Sequence, residues 1–147
     1  GCGYGRLCTA FDNNNYLGID ISHDAIRKAR KLFPNYKFEY TTTPDNMYQY
    51  SDTKLLYTVM LHQADEDLEE MIERLCQSTK TIIVAEILGR DWRREGNPPV
   101  FNREISEYET LFANYDRGLS SVVKKPYERY NNWNMRDTGL TIMVFED

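Results

Sequence analysis

The chain has 147 residues, 41% of them hydrophobic and 28% charged, and a formal net charge of −5. That size and composition fit one soluble globular domain over residues 1–147, and no apolar run approaches the roughly 18 residues of a membrane span, so no membrane partner is expected. The acidic balance argues against a nucleic-acid partner, while three cysteines without CxxC spacing and only two histidines argue against a disulfide framework or a metal site and favour a reducing, cytoplasmic compartment.

Read in chain order, the sequence alternates strand and helix. Gly1-Cys2-Gly3-Tyr4-Gly5 is a glycine-rich turn, and a short helix is expected over Arg6–Phe11. Tyr16–Ile21 (YLGIDI) is a short apolar run ending in an acid, as a buried parallel strand would be. Ser22 can cap the next helix, whose Ala25, Ile26, Ala29, Leu32 and Phe33 recur at helical spacing before Pro34 closes it. Tyr36–Tyr40 alternates like a half-buried strand, and the polar TTTPDN after it reads as a loop. Lys54–Leu61 (KLLYTVML) is a second buried strand.

Asp65 is expected to cap an amphipathic helix with Leu68, Met71, Ile72, Leu75 and Cys76 as its apolar stripe. Thr81–Leu88 (TIIVAEIL) is the next buried strand. The charged stretch GRDWRREGNPPVFNRE that follows is long for a connection inside a compact domain, and loops of that length tend to be functional or disordered. A helix over Ser106–Tyr115 leads to two more strands, Leu119–Lys124 and Leu140–Phe145, expected to pair antiparallel around a polar insert holding Tyr127, Tyr130 and Trp133. The whole reads as α/β, a Rossmann-like doubly wound and mostly parallel sheet with an antiparallel C-terminal strand pair. A glycine loop of this kind follows a strand, so the fold is expected to want one more apolar strand ahead of Gly1.

Glycines at positions 1, 3 and 5 let the backbone turn sharply and approach a ligand without a Cβ in the way. Alone, that spacing fits a structural turn equally well. Asp20, at the end of the next strand, changes the balance, because a carboxylate there can accept from both hydroxyls of a ribose held over the loop. The other reading of Asp20 is a helix-capping acid. A nicotinamide fingerprint, GxGxxG, would need glycine where Arg6 stands.

GCGYGR, YLGIDIS and LLYTVMLHQ together resemble the first, second and fourth conserved blocks of class I S-adenosylmethionine-dependent methyltransferases. The resemblance implies S-adenosyl-L-methionine as cofactor, with Gly1, Cys2, Gly3 and Gly5 around its methionine part. It implies Asp20 on the ribose, Ile21 against the adenine, and Thr58, Val59 and the rest of the turn to His62 beneath the sulfonium. Many members read the adenine amino group with an acid after the third strand; here Asp45 or a hydroxyl of Thr41–Thr43 would substitute. The activity implied is methyl transfer to an oxygen or nitrogen of a small molecule, with His62 as the candidate base where the acceptor carries a proton.

Three further features have two readings each. Glu86, inside an apolar strand, either pairs with a nearby arginine or contacts the acceptor. Trp92, Arg93, Arg94, Tyr127, Tyr130 and Trp133 form either a cationic, aromatic acceptor pocket or surface packing. Asn97-Pro98-Pro99-Val100 resembles the Asn-Pro-Pro-aromatic signature of methyltransferases acting on amide or base nitrogens, but it follows Thr81–Leu88, the fifth strand once one ahead of Gly1 is counted, and ends in valine, so it reads as a proline-rich loop. The alternatives to the main reading are a non-catalytic chain that associates with itself through exposed strand edges, and a nicotinamide-dependent oxidoreductase.

Overall fold

Each apolar run bounded by turn residues becomes a strand in a computed structural model that describes residues 1–125 and 139–147. Contacts divide the chain into two units, Gly1–Gln49 and Tyr50–Asp147.

The first unit is a βαβ arrangement. Strand β1, Leu17–Asp20, pairs parallel with β2, Lys37–Tyr40, placing Gly18 opposite Phe38. Helix α1, His23–Leu32, joins them, and Ser22 caps it as expected, its hydroxyl accepting from the Ala25 amide at 3.2 Å. Ile26 and Ala29 bury against Cys8 and Phe38, with Tyr16, Phe33 and Tyr36 closing the border of this small core. Arg30 adds a clamp, its Nε and Nη2 donating to the Phe38 carbonyl at 3.2 and 2.7 Å.

Two local expectations are corrected here. The helix over Arg6–Phe11 is a single 3-10 turn, Cys8–Ala10. Asp12 directly after it accepts from the Asn14 amide and starts a second 3-10 turn, so local side-chain bonding competes with helix growth. The TTTPDN loop contains a one-turn helix, α2, Pro44–Met47, closed by the Met47 amide on the Thr43 carbonyl.

Among the described residues the second unit holds four strands, in the order β3-β4-β6-β5. Strands β3, Ser51–Tyr57, and β4, Thr79–Glu86, are parallel, and β6, Leu140–Glu146, runs antiparallel between β4 and β5, Gly118–Lys125. The C-terminal pair is therefore antiparallel, as the sequence implies. Helix α3, Asp65–Gln77, connects β3 to β4 and buries Leu68, Ile72, Leu75 and Cys76. Each such aliphatic side chain contributes roughly 1.5–3 kcal/mol. Helix α4, Ile105–Ala113, turns Tyr108 and Phe112 inward, and Phe112 stacks on Phe145 of β6 with ring centroids 3.9 Å apart.

The run KLLYTVML splits at the end of β3. Tyr57 is its last strand residue, and Met60–His62 form a 3-10 turn. At α3 the cap position falls on Ala64, which makes no side-chain cap bond; Asp65 is the first helical residue and its carboxylate is used elsewhere. Among the described residues no helix is long and apolar enough to cross a membrane. Tyr127, Tyr130 and Trp133 lie outside the described residues.

Candidate functional site

The glycine loop is tied to the end of β1 through the Cys2 and Gly3 amides. The Cys2 amide donates to the Ile19 carbonyl at 2.9 Å, and the Gly3 amide donates to Asp20 Oδ2 at 2.7 Å. On the other side the Ser22 amide donates to Asp20 Oδ1 at 2.8 Å. Each carboxylate oxygen thus has one backbone donor and retains lone-pair capacity for another. Asp20 organises the loop and can still accept from a ligand.

Gly3 and Gly5 adopt φ of +57° and +81°, in the left-handed region that favours glycine. At Gly5 a Cβ would come within 2.7 Å of the Phe38 ring, whereas at Gly3 it would meet nothing within 4 Å. One glycine is needed for packing, and the other keeps open space beside the loop. Burial pushes the half-buried Cys2 thiol up to about 11, so it stays protonated and serves as loop packing.

At the carboxyl ends of β1 and β2 two large side chains face solvent. Ile21 is 66% exposed and Tyr40 45%, with the His23 ring edge-on to Tyr40 at 5.4 Å. Strand carboxyl ends are where open α/β sheets bind ligands. Of the two substitutes for an adenine-reading acid, Thr41 is buried and its hydroxyl accepts from the Thr43 amide at 3.1 Å, while Asp45 is exposed in the first turn of α2.

In the second unit the turn after β3 is built on a strained residue. Thr58 has φ +54°, uncommon for a β-branched side chain and worth roughly 1–3 kcal/mol of strain. Its amide continues the ladder to the Ala85 carbonyl at 2.8 Å. Val59 follows in the right-handed region, so the next amides converge on a concavity of the kind that binds anions. The anion is internal: Glu86 Oε1 accepts from the Val59 and Met60 amides at 3.0 and 2.8 Å.

Glu86 is fully buried, and Oε2 has no hydrogen-bond partner among the described residues. Burial pushes its carboxyl up to about 7, against the pull of the turn amides and the Arg103 charge. Of the two readings of Glu86, the arginine pair is replaced by backbone amides, because the last residue of β4 lies across the ladder from the turn that ends β3.

Arg103, which the sequence reading passes over, is the largest fully buried side chain of the chain's described residues. Its Nη1 donates to the Met60 and Phe101 carbonyls at 3.0 Å each, its Nη2 to Gln63 at 2.7 Å, and its Nε to Asp65 Oδ1 at 2.9 Å. Arg93 grips the same Asp65 carboxylate through both of its terminal nitrogens, at 2.8 and 3.1 Å. That is why Asp65 does not cap α3, and the two arginines hold its carboxyl below its ordinary value. Arg93 is committed to this structural pair, while Trp92 is half-buried and Arg94 exposed.

The charged stretch after β4 is thereby fastened onto the turn. The Phe101 amide donates to the Leu61 carbonyl at 2.6 Å, Arg94 and Val100 bridge antiparallel, and Asn102 donates to the Ile87 carbonyl. His62 is fastened too, with Nδ1 2.9 Å from the Pro99 carbonyl. A carbonyl can only accept, so Nδ1 is the donor in this bond and Nε2 is the ring nitrogen left to interact elsewhere.

No family profile matches the chain, and no curated protein matches it in sequence. Solved structures do match it in fold. The magnesium protoporphyrin IX methyltransferase of Synechocystis PCC 6803, solved with bound SAM, is 15% identical with a TM-score of 0.73, covering 99% of this chain and 66% of its own. A putative methyltransferase in complex with the Haloferax volcanii Trm112 methyltransferase activator is 14% identical with a TM-score of 0.76, over 99% of this chain and 79% of its own. A protein described as a pericyclic reaction enzyme is 12% identical with a TM-score of 0.71, over 99% of this chain and 41% of its own. The chain spans just under two thirds of the first of these and less than half of the last. Its fold is that of the class I S-adenosylmethionine-dependent methyltransferases. The third neighbour shows that this fold does not by itself fix the reaction.

Proposed function

We propose that the protein is an S-adenosylmethionine-dependent methyltransferase acting on an oxygen or nitrogen of a small molecule. The observation that carries the reading is the glycine loop bonded to Asp20 at the end of β1, with Gly3 open on its ligand side. These residues fit the cofactor. Gly3 and Gly5 allow close backbone approach, both Asp20 oxygens retain acceptor capacity for ribose hydroxyls, and exposed Ile21 supplies an apolar surface for a base. Asp45, exposed in α2 a few residues after β2, is the acid this reading assigns to an exocyclic amine.

When bound, the cofactor supplies a methyl carbon activated by positive sulfur. The chain's own task is to bind, orient and take up a proton. In this reading Thr58 and Val59 belong to the turn that serves the transfer step. His62 acts as base through Nε2, with the Pro99 carbonyl fixing its tautomer, wherever the acceptor hydroxyl or amine must lose a proton. The acidic balance and the absence of a basic stripe in the sequence favour a small acceptor over nucleic acid.

Calorimetric titration with S-adenosylhomocysteine tests the reading, with micromolar binding expected. Asp20→Ala should weaken it at least roughly tenfold, the loss of one to two charge-assisted bonds. Unchanged affinity in that variant would remove Asp20 from the site.

A further inference from the structure

The methyl-transfer reading gives no task to one buried carboxyl, that of Glu86. Glu86 sits at the end of β4, fully enclosed, with one oxygen serving two consecutive amides and the other serving none. A carboxyl placed there for packing alone is a poor choice, since an apolar side chain of the same size would avoid its desolvation. Its two bonds go to the residues that follow Thr58, whose left-handed backbone would otherwise relax.

We propose that Glu86 is a positioning residue for methyl transfer: its carboxylate, bound in the amide concavity of Val59 and Met60, holds the strained Thr58 turn in its working conformation. The inference rests on the reading of that turn as part of a methyl-transfer site. Its geometry stands independently of that reading, in the two amide bonds and the positive φ. The anionic form makes the stronger bonds to the amides, so the turn is held tightly when Glu86 is ionised and loosens when it is protonated.

Among the described residues, the charged and titratable groups around it are few. Arg103 reaches the Met60 carbonyl of the same turn and favours the anion, and the Tyr108 hydroxyl of α4 is raised above its usual range by burial first and by the nearby Glu86 second, leaving the phenol neutral. With burial setting the Glu86 carboxyl to about 7, the switch falls in the neutral range. His62 on the same turn is the group to separate from it.

The test uses the whole chain and two variants. Glu86→Gln keeps an oxygen for both amides and removes the titration, and His62→Gln removes the competing imidazole. Amide NMR between pH 5 and 9 should show Val59 and Met60 moving together with a midpoint near 7 in the wild type and in His62→Gln, and not in Glu86→Gln. S-adenosylhomocysteine affinity should be roughly fivefold weaker at pH 5.5 than at 8.5 in the wild type, and level across that range in Glu86→Gln. An amide step that survives in Glu86→Gln, or a wild-type affinity that is measurable but flat with pH, overturns the positioning role. Absence of wild-type binding at every pH overturns instead the functional reading on which the role rests, and the amide step then reports the clamp alone.

Discussion

The glycine loop and the β3 turn solve the same problem by opposite means. In the first unit the backbone is shaped by residues close in sequence: glycines at 3 and 5, and Asp20 bonded to amides 17 and 2 residues away. In the second the shape is imposed from far along the chain, by Glu86 across 26 residues and by Arg103 across 38 to 43. Loop one needs no buried charge. Turn two depends on two, a carboxylate gripping amides and a guanidinium gripping carbonyls within the same few residues.

The contrast is broken most severely at Arg103. Replacing it with leucine strips donors from the Met60, Phe101 and Gln63 carbonyls and leaves Asp65 with Arg93 only. A loss of about 3–5 kcal/mol in urea unfolding is expected, the range for breaking a buried charged network. A loss below 1 kcal/mol would mean that water replaces the guanidinium and that the turn does not depend on it.

Glu86 gives the next largest effect and a sign. Its folded value of about 7 lies above the ordinary 4.5, so the folded state binds the extra proton between those limits and loses stability as pH rises through them. The loss amounts to about 3 kcal/mol between pH 4.5 and 7 and should vanish in Glu86→Gln, read from unfolding curves at pH 5 and 7.5. Asp65 acts outside this window: its lowered value makes its contribution fall only below the ordinary carboxylate range. Global stability and the grip on the turn therefore move in opposite directions with pH.

In the first unit the comparable change is Gly5→Ala. The added methyl meets the Phe38 ring at 2.7 Å on a backbone of φ +81°, and about 1–3 kcal/mol of destabilisation is expected. Equal tolerance of Gly3→Ala and Gly5→Ala in thermal melts would erase the distinction between a packed and an open glycine.

Legibility in the sequence follows the same division. Periodicity places α1 and α3, whose apolar stripes are buried, and apolar runs place the six strands of the described residues even though Leu17, Leu55, Val122 and Val123 are exposed; Ser22 is readable as a cap because capping is local. Asp65 looks like a cap by the same logic and is not one, since two distant arginines claim its carboxylate. The 3-10 turn at Cys8–Ala10 escapes notice because the competition from Asp12 is between two weak local preferences. Arg103 carries little signal: three of its partners are backbone carbonyls, which every residue has, and its carboxylate partner Asp65 lies 38 residues away. Glu86 is the intermediate case, visible as a misplaced charge within TIIVAEIL but with a partner that only the β3–β4 register reveals.

The central claim, an S-adenosyl nucleoside site organised by the first unit's loop, is tested most directly by titrating the chain with S-adenosylhomocysteine and with NAD while following the Gly3, Gly5 and Asp20 amides. The account predicts saturable shifts at those amides with S-adenosylhomocysteine at micromolar concentration and none with NAD. Shifts produced by NAD, or a loop that responds to neither, would contradict it.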